Sequence, residues 1–102
     1  MANYILAYHP GKVTGTPQEG AALRARWKTW VESLGDAVID PGTPLGKSFT
    51  VSAAGVSEGG GLNPLIGLSV VKADSIEAAL EMARDCPHLA IGTIEVAEMK
   101  WM

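Results

Sequence analysis

Residues 4–8, within NYILAYH, are apolar on both faces. In an extended segment successive side chains point to opposite sides, so Tyr4, Leu6 and Tyr8 share one face and Ile5 and Ala7 the other. A second stretch, LIGLSVVKA (65–73), reads the same way, and the last strand, IGTIEVAEM (91–99), is read with them. A strand that is apolar on both sides must be covered on both sides. That demand limits what a chain of 102 residues can build.

Two helices are available to provide cover. Thr16-Pro17-Gln18-Glu19 has the form of a capping box, with Thr16 as N-cap, Pro17 at the first helical position and Glu19 at the third. The helix it opens runs to Leu34, with Gly35 as its stop. Leu23, Trp27, Trp30, Val31 and Leu34 form its apolar stripe. Asp74-Ser75-Ile76-Glu77 reads as a second capping box, opening a helix that carries Ile76, Ala79, Leu80 and Ala83 inward and ends before Pro87. DAVID (36–40) is a short strand, PGTPLG a loop, SFTVSAAGV (48–56) extended and SEGGGLNP (57–64) a loop. The order is β-α-β-(β)-β-α-β. It predicts a single α+β domain over 1–102, a ferredoxin-like antiparallel sheet with both helices on one face.

Two helices cover one face only. The other face exceeds the roughly few hundred Å² of contiguous apolar surface that soluble monomers expose. Either a second copy of the chain covers it, giving a homodimer packed sheet to sheet, or the 41–64 segment folds over it.

Charge and composition narrow the function. A net charge of −3 leaves no basic surplus to neutralise phosphates, so no nucleic-acid partner is expected. One cysteine cannot form an internal disulfide, which fits a reducing, cytoplasmic setting. The first residues lack the basic segment of a secretory signal, and no apolar run approaches the ~20 residues of a membrane span. Gly46-Lys47-Ser48 is not a phosphate-binding loop, because position 41 is Pro and a strand-like stretch follows. The glycines at 59–61 lack the strand-to-helix context of a dinucleotide fingerprint, so no cofactor is expected. Cys86 and His88 alone cannot complete a four-ligand zinc site, so no metal is expected.

One constellation suggests chemistry. If the first and last strands are antiparallel neighbours, His9 lies beside residues 88–92. The helix ends then bring Arg24, Asp85 and Cys86 to the same end of the sheet. His9, Asp85 and His88 are candidate proton carriers there, and Glu95 is a fourth if it faces the dimer cleft. Arg24 is the candidate anion anchor, and Trp27, with Cys86, a candidate lining of a pocket for a small organic acid. The competing reading makes the two tryptophans core residues and the polar groups ordinary loop and helix-end residues.

The chain resembles the YCII-related (DGPF-type) family of the dimeric α+β barrel superfamily. The resemblance rests on NYILAYH, WKTWVESLG (27–35), VVKADSIEAALEMARDCPHL (70–89) and GTIEVAEM (92–99). It implies a dimer whose two sheets enclose a cleft. Most such proteins carry no assigned activity. A few resemble isomerases or dehydrochlorinases acting on small aromatic-derived substrates, and some are fused to or neighbour transcription factors. The better-studied branch pairs a helix histidine with an aspartate just before the proline. Here Arg24 falls at or next to the first place and Cys86 at the second, so the dyad is missing. Two readings remain: a dimer that binds a small molecule in its cleft, or a small enzyme doing acid–base chemistry on a cyclic or aromatic-derived acid.

Overall fold

A computed structural model describes residues 1–11, 17–59, 61 and 64–100. Its elements in chain order are β1 (Ala2–Pro10), α1 (Pro17–Leu34), β2 (Val38–Pro44), β3 (Phe49–Ser52), β4 (Gly55–Glu58), β5 (Gly67–Ala73), α2 (Ile76–Arg84) and β6 (Gly92–Glu98), with short 3-10 turns at Gly35–Ala37 and Pro87–Ala90. Four strands form an antiparallel sheet in the order β2-β5-β1-β6, and β3 and β4 form a separate hairpin. This is the expected ferredoxin-like α+β fold.

Register sorts the side chains by face. Tyr4, Leu6 and Tyr8 stand opposite Val71, Ser69 and Gly67 on β5, and opposite Glu98, Val96 and Ile94 on β6. All but Glu98 are buried or partly buried, and the large ones pack with Trp30, Ala79 and Ala83 from the two helices. Both helices therefore lie on this face. Trp30 fastens them together, its indole N–H donating to the Met82 carbonyl at 2.9 Å. The stripe on α1 falls where its spacing puts it: Trp30 is buried, and Leu23, Trp27, Val31 and Leu34 are half-buried.

Several local expectations need correction. Thr16 lies outside the described residues. The N-cap of α2 is Ser75, whose side chain accepts from the Ala78 N–H, so the cap sits one residue later than an Asp74-led box requires. α2 is also rolled, seating Ala78 and Met82 beside Ala79 and Ala83 and leaving Ile76 and Leu80 exposed at the flank. β2 continues through Pro41-Gly42-Thr43-Pro44. It can do so because it is an edge strand, where proline's missing N–H breaks no interior ladder, and two register shifts accommodate the kinks. Gly35 does stop α1, at φ 57°.

The opposite face carries Ile5 and Ala7 from β1, and Leu68 and Val70 from β5. β6 adds Thr93, Glu95 and Ala97, so the last strand is apolar on its helix side only. The β3–β4 hairpin does not cover this face, since every residue of its two strands is exposed. Among the described residues, no helix is long and apolar enough to cross a membrane.

Candidate functional site

Antiparallel pairing of β1 with β6 sets His9 against Thr93 and Pro10 against Gly92. The candidates do converge on one end of the sheet, but the sheet itself divides them. Tyr8 points to the helix side and His9 to the other.

On the helix side, the C-terminal ends of β1 and β2, the start of β5 and the middle of α1 line a pocket of about 550 Å³. Tyr8, Trp27 and His88 supply its aromatic wall, Thr43, Pro44 and Ile66 part of its rim, and Arg24 the only charged lining group among the described residues. Its size lies within the range of small-molecule sites.

The rings brace one another. Tyr8 meets Trp27 edge to face at 5.2 Å between centroids and His88 at 5.0 Å, and Trp27 meets Trp30 at 5.4 Å. The Trp27 indole N–H donates to the Pro41 carbonyl at 3.0 Å. Gly42, at φ 148°, lets the ring lie flat on the strand, because a Cβ there would approach Trp27 Nε1 to 3.1 Å. Beneath the wall the Tyr8 hydroxyl donates to Ser69 Oγ at 2.6 Å, and Ser69 donates to the Pro41 carbonyl at 3.2 Å.

His88 is buried and structural on one edge. Its Nε2 is 2.8 Å from the His9 carbonyl, an acceptor, so Nε2 carries the proton. Gly92 makes room for this contact. A Cβ there would overlap the His9 carbonyl and lie 2.7 Å from His88 Nε2.

Arg24 is exposed at the pocket edge, and among the described residues it has no ion-pair partner. A guanidinium left open beside aromatic faces is suited to a planar carboxylate or phenolate.

Cys86 does not line the pocket. It is buried behind Tyr8, and burial pushes its thiol above the ordinary value; the His88 backbone N–H pulls it partway down. Burial likewise pushes the Tyr8 phenol up strongly, against the pull of Ser69. Both groups are neutral when protonated, so the fold favours the protonated forms. Their contribution is complete at neutral pH. It is lost as pH rises, first through the unfolded thiol's value near ~8.5 and then through the unfolded phenol's near ~10. Urea titrations from pH 7 to 11 should show stability falling from about pH 8.5, with Cys86→Ala removing the first part of the fall. The same burial makes the native thiol slow to alkylate at neutral pH.

The remaining candidates lie elsewhere. Asp85 caps the end of α2 and lines a shallow hollow between α1 and Pro87, outside the aromatic pocket. His9 and Glu95 meet on the helix-free face, Nε2 to Oε1, at 3.1 Å. His9 Nδ1 is 2.9 Å from the Pro64 carbonyl. The His9 side chain is 9% exposed and that of Glu95 73%. A larger hollow of about 610 Å³ lies between the chain ends at Met1–Asn3 and Glu98–Lys100, but no aromatic ring of the described residues lines it. Among the described residues, no three His, Cys, Asp or Glu side chains cluster as metal ligands would.

Residue type pointed to Arg24 and Trp27. Tyr8 was legible only as core, and Gly42, Thr43, Pro44 and Ile66 had no signal, because what they supply is shape. No family model matches the chain, and no curated protein matches it.

Proposed function

We propose that the protein is a small-molecule-binding module of the YCII-related type, and that its ligand is a small planar organic anion seated against Tyr8, Trp27 and His88. The observation that carries this reading is Arg24, a cation without an ion-pair partner among the described residues, at the edge of an aromatic-walled pocket of about 550 Å³. The site lies between α1 and the sheet, so the ligand is placed there rather than in a cleft between two sheets. Addition of benzoate or 4-hydroxybenzoate should raise the melting temperature of the wild-type chain and raise that of Arg24→Ala much less at the same concentration, because a ligand binding only the folded state stabilises it by mass action. An equal rise in both chains contradicts the reading.

The module works as a homodimer joined through its helix-free face. Ile5, Ala7, Leu68 and Val70 there are only half-buried, and the hairpin exposes Phe49, Val51 and Val56 on one side. A two-stranded hairpin is marginal in water without something to pack on, and a second copy offers both surfaces a partner. A free buried thiol fits a reducing compartment such as the cytoplasm. Sedimentation at micromolar concentration should report a dimer, and Val70→Glu a monomer. A wild-type monomer with no self-association contradicts this assembly.

A further inference from the structure

The aromatic pocket has one wall whose hydrogen bonding is unfinished. His88 is buried, and its ring is fixed at one edge, where Nε2 donates to the His9 carbonyl at 2.8 Å. Gly92 lies against the same edge: a Cβ there would come within 2.7 Å of Nε2 and 3.2 Å of Cε1. The neutral ring has one N–H, and Nε2 carries it, so Nδ1 presents a lone pair. Among the described residues, no hydrogen bond ends on Nδ1. Nor is Nδ1 sealed in, since no fully buried side-chain nitrogen or oxygen of the described residues lacks a partner. Nδ1 therefore reaches open space, and the open space that His88 borders is the aromatic pocket.

The neighbouring side-chain donors are already committed. The Trp27 N–H goes to the Pro41 carbonyl, the Tyr8 hydroxyl to Ser69 and the Thr43 hydroxyl to Asp40. Two groups keep capacity for a ligand: Arg24, a charged donor at the edge, and His88 Nδ1, an acceptor in the wall. The acceptor is held in place. Tyr8 packs on the His88 ring at 5.0 Å between centroids, and a half-turn of the ring would lose the bond to the His9 carbonyl.

We propose that His88 determines specificity in this pocket: its Nδ1 accepts a hydrogen bond from a hydroxyl or N–H carried on the ligand's ring. The ligand class narrows from planar organic anions in general to aromatic acids bearing such a donor. An acid of the same shape without a donor strips water from Nδ1 and returns no hydrogen bond, which is how a polar wall rejects a near-isostere. The inference rests on reading the pocket as a ligand site, but it concerns a different atom from the Arg24 contact, so the two can fail separately.

The test compares 4-hydroxybenzoate with 4-fluorobenzoate, and the 3-substituted pair alongside, because the reach from Arg24 to His88 decides which isomer fits. Members of a pair share ring, charge and nearly size, and only the hydroxy acid can donate. At pH 7.5 the full-length chain should bind at least one hydroxy acid about tenfold more tightly than its fluoro partner, and His88→Phe should bind that pair within about twofold of each other. Nitrogen-15 NMR of the wild-type imidazoles, of which there are only two, gives a second reading. In the free chain the His88 proton should sit on Nε2, and the Nδ1 resonance should move when the hydroxy acid binds and much less when the fluoro acid does. Equal affinities in both pairs, or a free chain protonated at Nδ1 instead of Nε2, overturn the inference and leave the Arg24 contact standing. If no acid binds, the Arg24 reading fails and phenol, a donor without a carboxylate, decides: an Nδ1 resonance that phenol moves supports the inference, and one that it leaves in place overturns it. If His88→Phe fails to fold, the nitrogen resonances decide alone.

Discussion

Leu6→Ala should lower the unfolding free energy by about 2–5 kcal/mol, the range for removing a fully buried leucine side chain. Leu6 is completely buried at the middle of β1, between Ser69 on β5 and Val96 on β6. Both neighbouring strands are hydrogen-bonded to β1, so the backbone cannot collapse into the space, and the loss should fall in the upper half of the range. A domain of this size has roughly 5–15 kcal/mol in total. At about 4–8 °C per kcal/mol, the melting temperature should drop by roughly 10–40 °C. Leu80→Ala is the matched comparison. Leu80 is 43% exposed on the flank of α2, and its loss should cost under about 1 kcal/mol. Urea unfolding of the two variants measures both. Equal losses, or a Leu6→Ala cost below 1 kcal/mol, would show that the core does not sit between this sheet and its helices.

The parts of the fold legible in the sequence are those with a strong period. β1 and β5 follow from short runs that are apolar on both faces, and α1 from a stripe every three or four residues ended by Gly35. The parts that were hidden depend on tertiary position. Pro41 and Pro44 read as loop, and only β2's place at the sheet edge makes them strand residues. The hairpin turns at Ala53-Ala54 before Gly55, at φ 134°, without the Asn-Gly or Asp-Gly pair that marks such turns. The site shows the same division. Reasoning from the end of the sheet placed His9 with His88. The two-residue alternation of β1, already visible in Tyr4, Leu6 and Tyr8, sends His9 through to the other face. Pairing of His9 with Glu95 needed the β1–β6 register, which a single sequence does not carry.

The second large effect is expected at the aromatic pocket. At about 0.5 kcal/mol per non-hydrogen atom, a benzoate-sized acid should bind the wild-type chain with a Kd on the order of 0.1–1 mM. A charge-assisted hydrogen bond contributes roughly 1.5–3 kcal/mol, so Arg24→Ala should weaken binding by about tenfold to a hundredfold. Trp27→Ala removes a wall braced against both Tyr8 and Trp30, and should abolish binding. Benzamide, with the same ring and no charge, separates the anion contact from the ring contact. Calorimetric titration of the wild-type and Arg24→Ala chains with 4-hydroxybenzoate and benzamide is therefore the most direct measurement. The expected result is one saturable site per chain that prefers the acid in the wild type and loses that preference in Arg24→Ala. No saturable binding through the millimolar range, or an unchanged preference in Arg24→Ala, contradicts the account.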